Sequence, residues 1–585
     1  MKRFDTIIRN GLIVDGTGGP SHVGDIGIVG GRIAQIGAHL MGSADEEIEA
    51  SGKIVAPGHI TQHSHYDAQL FWDPYCSNSG EHGVTTVLNA NCGFSVAPVR
   101  PKDQERTMGM LETTEQIPVE YQKAAMPWDW ETFPDYLDRL RALPKGVNVM
   151  TYLPLNPLMI YVMGVEAAKT RRPTADEIAQ MHVLINEAMD DGAVGISMSV
   201  MGAEGNSHLD TDGSPMPTDL LHDDDIVEIS RAVAERGEGI IQMLSQIAHF
   251  GNKGVSEKVA RMAKGSGARV IHNAFLTNDA LVDMTYEDIK WLNALRAEGL
   301  DISGGALINR GWVEAGIKEL DTAAGQMKGV RRIMACEDDN AVRALLSDPA
   351  YVKEFSDTYA LEGAASGAGG FEEQTVIDVG GHPELEIYLN RTLADIGAET
   401  GQTVVEVLCD LAFKSNLELQ LKSAPFSARD PQLPVDMLKC PGIAAGVSDG
   451  GAHTKAFSNG HYGTELLIWL VRQEKLMTLE EMHFQLSLKI ARTLQLSDRG
   501  ALLPGFGADI VIYDLDELFL DESRHEIVHD MPLGSWRRKP KSGGYARILV
   551  NGVTTHRGDV PTGETPGELL RVTSDRRRSA LIAAE

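Results

Sequence analysis

Short apolar strands alternate with helical stretches through the middle of this chain, and that alternation predicts an α/β protein built as a (β/α)8 barrel. Eight candidate strands can be counted, and helical sequence follows most of them. The chain has 585 residues, well beyond the size at which a single core stops growing. One large domain with a smaller one beside it is therefore expected.

The elements follow in order. Residues 7–14 read as two short strands about Asn10-Gly11, and residues 25–36 as a hairpin about Gly30-Gly31. Strand candidates then come at 58–63, 84–90 and 147–153. Thr174 with Glu177 makes a capping box for a helix to about Asp190, which Gly192 ends. Residues 193–198 form the fourth strand. Helices at 224–234, 256–264 and 286–297 then alternate with strands at 239–244, 269–273 and 300–303. A strand at 443–447 completes the eight.

The stretch 305–400 is too long for a loop and predicts an insertion with its own elements. Its Gly- and Ala-rich part, Gly363–Gly370, suits either a lid or a plain surface loop. Towards the C-terminus, 508–513 is a strand and 547–553 a hairpin about Asn551-Gly552. The β-rich ends, 1–56 and 500–560, are expected to pair into one small β domain around a barrel of residues 57–499. No internal repeat is seen, and Ser574–Arg578 reads as a solvated charged end.

Composition narrows the function. With 43% hydrophobic and 23% charged residues the chain is an ordinary globular protein. A formal net charge of −30 argues against nucleic acid and anionic membrane surfaces as partners and leaves a small-molecule substrate. No apolar stretch is long enough to cross a bilayer, and the first residues lack the apolar centre of a signal peptide. The five cysteines, at 76, 92, 336, 409 and 440, contain no CxxC pair. A reduced, cytoplasmic protein is expected.

In such a barrel, catalytic groups gather at the C-terminal ends of the strands. The first strand ends in His63-Ser64-His65, whose two imidazoles project to one side and can share a divalent ion such as zinc. The second ends at Cys92, the sixth at His272-Asn273, and the eighth in Ser448-Asp449-Gly450-Gly451-Ala452-His453. Each residue alone has a plain structural role open to it: Cys92 as a small buried apolar group, His272 as a core histidine, Asp449 as a cap. Their convergence on one rim favours a metal centre made by His63, His65 and Cys92, with Asp449 beside it and His272 on the same rim. Gln242, Asn273 and His453 are candidates for substrate contact. Zinc would lower the pKa of a bound water and polarise a carbonyl. Asp449 would act as general base and acid, passing a proton to a leaving amine.

The segments Ala56-Pro57-Gly58-His59-Ile60-Thr61-Gln62-His63-Ser64-His65-Tyr66-Asp67, Gly83-Val84-Thr85-Thr86-Val87, Asn91-Cys92-Gly93-Phe94-Ser95, Ser448–His453, Gly505–Ile510 and Val550-Asn551-Gly552 run the length of the chain in order. On these segments it resembles the amidohydrolase superfamily and, within it, the D-aminoacylase (N-acyl-D-amino-acid deacylase) family. The resemblance implies a barrel with a small β-sandwich built from both termini. It also implies a zinc site using His63, His65, Cys92 and Asp449, and hydrolysis of the amide bond of N-acyl-D-amino acids. The family pattern adds histidine ligands at the ends of strands five and six. Strand six offers His272, but strand five offers Gln242, with His249 in the following loop. One or two zinc ions are therefore implied. Arg310 and Lys422 are candidates by location for binding a substrate carboxylate. Two other readings stay open: the same site hydrolysing another small amide, cyclic amide, urea or ester, or an inactive barrel that binds a ligand.

Overall fold

The computed structural model describes residues 2–204, 208–247, 250–320, 327–362, 370–425 and 427–572. His249, most of Gly363–Gly370 and Ser574–Arg578 lie outside these residues.

Eight strand positions in the middle of the chain pair in parallel. The first, His59–Ile60 continuing at His63–Ser64, pairs with Val84–Asn89. That strand pairs with Asn148–Thr151, which runs on into Leu153–Pro154. Leu153–Pro154 pairs with Gly195–Ser199, then come Ile240–Leu244, Arg269–Leu276 and Ile302–Leu307. The seventh pairs with Ile443–Ala444, and the continuation of that eighth position, Val447–Gly450, pairs back onto His63–Ser64. The parallel pairing thus returns to its starting strand. Helices Ala175–Asp191, Asp223–Arg236, Gly254–Met262 and Val282–Ala297 lie between successive strands. The strands are buried on both faces, as parallel strands covered by helices are. The capping box of Thr174 and Glu177 is present, and Gly192 follows the helix it opens.

The first position is interrupted where polar side chains cross to its neighbours. Thr61 Oγ1 donates to Gly446 O at 2.8 Å, and Gln62 Nε2 donates to Ala444 O and Ala445 O. Ser64 Oγ lies 2.9 Å from Leu88 O and from Asn89 Oδ1. These buried bonds satisfy groups that would otherwise be costly in the interior. They also fix the strand end that carries His63 and His65.

The terminal strands expected to make a small β-sandwich are joined in one continuous nine-stranded sheet. Its seam is the antiparallel pairing of Ile54–Pro57 with Ile510–Tyr513. Ile8, Ile26, Ile28, Val55, Ile510, Ile512 and Leu549 form its core. One element differs from the sequence reading. Asn10-Gly11 is not a hairpin turn, because Lys2–Ile13 is a single strand whose register shifts between Ile8 and Gly11. Asn10, at φ 57°, forms the irregularity and donates its N–H to Asp25 Oδ1. A bulge and a tight turn both demand a left-handed residue, so the dipeptide signals either.

The insertion after the seventh strand has its own core, centred on Val330, Tyr351, Phe355, Leu393, Leu408 and Leu419. Strand Leu419–Lys422 pairs with Glu314–Gly316 and with Thr375–Val379, so the unit continues past residue 400. A hairpin of Phe519–Val528 and Arg537–Gly543 packs beside it, tied by Glu314. Among the described residues, no helix is long and apolar enough to cross a membrane.

Candidate metal centre

His63, His65 and Cys92 meet at the carboxyl ends of the first and second strands, and their ligand atoms all lie within 4.8 Å of one another. The Cys92 sulfur is 3.3 Å from His63 Nε2. Asp449 Oδ1 lies 3.3 Å from His63 Nε2 and 3.7 Å from His65 Nε2. All three ligand side chains are buried.

Local backbone explains the convergence. Cys92 sits in the left-handed region at φ 56° inside a one-turn segment, Asn91–Gly93. The neighbouring strands hold this turn. Ala90 N donates to Asp67 Oδ2 at 3.2 Å, Cys92 N to Gln242 Oε1 at 3.1 Å and Gly93 N to Ser197 Oγ at 3.2 Å. Gly93, at φ 80°, has no room for a side chain, since a Cβ there would lie 2.9 Å from Met198 Cα. Across the rim, the eighth strand shifts register between Val447 and Gly450, and Asp449 takes φ 49°. His65 N donates to Gly450 O at 2.7 Å, fixing the two strand ends together.

Each sequence-derived candidate has a definite place. Asp449 joins the cluster. Gln242, at the middle of the fifth strand, Ile240–Leu244, hydrogen-bonds the cysteine loop, and its Nε2 is buried without a partner. The amide of Asn273 lies against the far side of His63, with Nδ2 2.7 Å from Nδ1, and its Oδ1 has no partner. His453 lies just beyond Asp449, with Nδ1 3.2 Å from Gln116 Oε1. His272 does not reach the cluster. Its Nδ1 meets Ser245 Oγ at 3.2 Å and Ser256 Oγ at 3.1 Å, and its ring packs edge-on against Trp291 of the helix Val282–Ala297. Successive strand residues face opposite sides, so Asn273 takes the inner position and His272 faces the helices. Arg310 pairs with Glu522, and Lys422 donates to the Ser523 carbonyl while covering Trp312.

One group at the centre had no signal in the sequence. Glu115, at the end of helix Gln104–Glu115, is buried beside His65, with Oε1 3.5 Å from Nδ1.

Burial and charge set the protonation of the cluster. Burial pushes His63 down to about 4, with Asp449 opposing and His65 adding to the effect. Burial also presses His65 down, but Glu115 first and then Asp449 outweigh it, so that its pKa is raised. For Asp449 burial acts upward, yet His65 and His63 hold it below the usual carboxylate range. Burial pushes the Cys92 thiol up to about 12 and the Glu115 carboxyl up to about 7.

The donors fit a borderline-soft cation. A tetrahedral ion with bonds of about 2.0–2.3 Å holds its ligand atoms roughly 3.3–3.7 Å apart. The sulfur–nitrogen and nitrogen–oxygen separations of 3.3, 3.3 and 3.7 Å lie near that spacing, with Asp449 beside the group of three whose ligand atoms are all within 4.8 Å of one another. Binding through His63 Nε2 requires the Nδ1–H tautomer, in which Asn273 presents its oxygen. Rotating the amide supplies that acceptor from the atom now without a partner.

A small cavity opens beside Asp449, lined by Ser77, Asn78, Ser458, Asn459, Arg537 and Arg538 among others. Arg537 is paired with Asp530 and donates to Ser77 O. Arg538 is bonded to Lys455 O, Glu314 and Gln420.

Residues 46–225 match a model described as the amidohydrolase family. The chain is similar to the D-aminoacylase of Alcaligenes xylosoxydans xylosoxydans, 35% identical over 33% of this chain and 37% of that protein. It is also similar to the N-acyl-D-glutamate deacylase of the same organism, 24% identical over 97% of both chains. Among solved structures, the N-acyl-D-glutamate deacylase of Bordetella bronchiseptica, complexed with zinc and a phosphonate inhibitor, superposes with a TM-score of 0.62. That match is 23% identical and covers 97% of this chain and 100% of the other, a likeness of fold. The chain spans about a third of the length of the first curated relatives it matches.

Proposed function

We propose that this protein is a metal-dependent amidohydrolase that cleaves the amide C–N bond of N-acylated small molecules, with N-acyl-D-amino acids as the leading class. In this reading the closed circuit of strands is a (β/α)8 barrel within residues 57–499, and segments 1–56 and 500–560 make one small β domain, apart from the hairpin Phe519–Val528 and Arg537–Gly543, which pairs in its own sheet beside the insertion. His63, His65, Cys92 and Asp449 would hold one zinc ion. The observation that carries the reading is the position of Asp449, 3.3 and 3.7 Å from two imidazoles that also face a buried thiol. The names of the similar deacylases support the substrate class.

A bound zinc would supply a water of lowered pKa and polarise the scissile carbonyl. The chain's own groups do the rest. Asp449, held as a carboxylate, would take a proton at Oδ2, leaving Oδ1 to the cluster, and return it to the departing nitrogen. Asn273 orients His63, Gln242 anchors the loop that presents Cys92, and His453 borders the approach to Asp449. The buried walls exclude bulk water and strengthen these interactions.

A second reading keeps the site and replaces the substrate with a neutral amide, cyclic amide, urea or ester. It is favoured by the cavity beside Asp449, where both arginines are already engaged by carboxylates. Turnover of N-acetyl-D- and N-acetyl-L-amino acids, lactams and esters by the zinc-loaded protein, alongside Asp449→Asn, is the test. Hydrolysis of D-substrates that is lost in the variant fits the proposal. Activity on lactams or esters alone selects the second reading. Absence of both bound zinc and any turnover leaves a ligand-binding barrel.

A further inference from the structure

We propose that Glu115 is a positioning residue for His65, accepting the Nδ1–H of that imidazole and thereby directing its Nε2 towards Asp449; this rests on the metal-centre reading above. Glu115 ends the helix Gln104–Glu115 and is 2% exposed. Its Oε1 and the Nδ1 of His65 are both buried without a hydrogen-bond partner, and they face each other at 3.5 Å. A shift of about half an ångström brings them into hydrogen-bonding range. An unpaired buried carboxylate is costly, so a facing N–H donor is the arrangement that stabilises it.

The same helix end also grips the other side of the rim. His453 N donates to Glu115 O at 2.8 Å, Glu115 Oε2 faces His453 Nε2 at 3.9 Å, and Gln116 Oε1 lies 3.2 Å from His453 Nδ1. One helix terminus therefore joins the imidazole of the first strand to the loop after the eighth. His63 is oriented in parallel by Asn273 on its own Nδ1. Each of the two imidazoles thus has one nitrogen held from behind and the other turned to the cluster. A carboxylate behind a metal-binding imidazole fixes its tautomer and raises its basicity.

Two measurements on the full chain test this. Selective 15N-histidine spectra of the metal-free protein, with His65 assigned by its loss in His65→Gln, should show a protonated, hydrogen-bonded Nδ1. That signature should disappear in Glu115→Leu. An unprotonated Nδ1, or one unchanged by the substitution, overturns the proposal. Competition titration with a chromophoric chelator should show zinc affinity falling about 10–100-fold in Glu115→Leu, and less in Glu115→Gln, which keeps an acceptor oxygen. Equal affinities in all three proteins also overturn it. Should Glu115→Leu not fold, Glu115→Ala, which also removes the acceptor, carries both readouts. A wild-type protein that binds no zinc sinks the metal-centre reading instead, while the spectra still decide the role of Glu115.

Discussion

Replacing Gln242 by leucine isolates what the glutamine does in the middle of strand five. Its Oε1 accepts the Cys92 N–H at 3.1 Å, while its Nε2 has no partner. Leucine of similar volume removes one acceptor and leaves a buried N–H unpaired, at a cost of about 1–3 kcal/mol. Cys92 is also held at φ 56°, a left-handed conformation that costs a branched-at-Cα residue roughly 1–2 kcal/mol. With the hydrogen bond gone, these effects act together, and the loop relaxes away from its present geometry. The bonds at Ala90 and Gly93 remain, so the loop moves without unfolding.

Urea denaturation should show a loss of about 1–3 kcal/mol. Chelator competition should show zinc affinity falling about 10–100-fold, the effect of losing a group that orients a ligand. Gln242→His separates this from the alternative that strand five simply lacks a ligand. An imidazole there should not restore affinity, because it does not return the acceptor at the same reach. Stability within about 0.5 kcal/mol of wild type, the range of a neutral surface change, together with unchanged zinc affinity in Gln242→Leu, would refute the reasoning.

Two further predictions concern buried carboxylates away from the metal centre. Asp219 has its Oδ1 on Met201 N at 2.8 Å, and burial pushes its pKa up to about 7 against that bond. The folded state therefore holds its proton more tightly than the unfolded chain, so stability is full below about pH 4 and declines as pH rises to about 7, by up to about 4 kcal/mol. Asp219→Asn should flatten that slope in pH-dependent denaturation, and an unchanged slope would contradict the assignment. Glu314 is fully buried and accepts from Trp312 Nε1, His525 N and Arg538 Nη1. Glu314→Ala should cost about 3–5 kcal/mol by leaving Arg538 buried and unpaired, and a loss below 1 kcal/mol by chemical denaturation would contradict it.

The strands of the circuit were legible because each is an apolar run bounded by glycine or polar residues, as at Gly195–Ser199 and Ile240–Leu244. The facing of their side chains was not. His272 and Asn273 are adjacent, and only the register of the folded strand decides which one turns inward; a one-residue difference reverses the faces. Asn10-Gly11 misled for a related reason, since its left-handed backbone serves a bulge as well as a turn. Glu115 left no trace at all. It is an ordinary acidic residue at a helix end, and no fixed spacing ties it to His65. Its position depends on how the connection after the second strand folds back over the rim.

Strands five and six bring side-chain amides to the cluster, and both amides are already committed. Gln242 is bonded to the backbone of Cys92, and Asn273 lies against Nδ1 of His63. His272, the remaining imidazole on strand six, is held by two serines among the helices. Among the described residues, His63, His65 and Cys92 are the one group of three close enough to share an ion. The two amides therefore contact residues of that group and are not themselves part of it. An amide is suited to this task because it presents a donor or an acceptor without a charge that would compete with the thiolate and carboxylate. On the proposed reading, the amides of strands five and six would support one ion held by that group rather than bind a second.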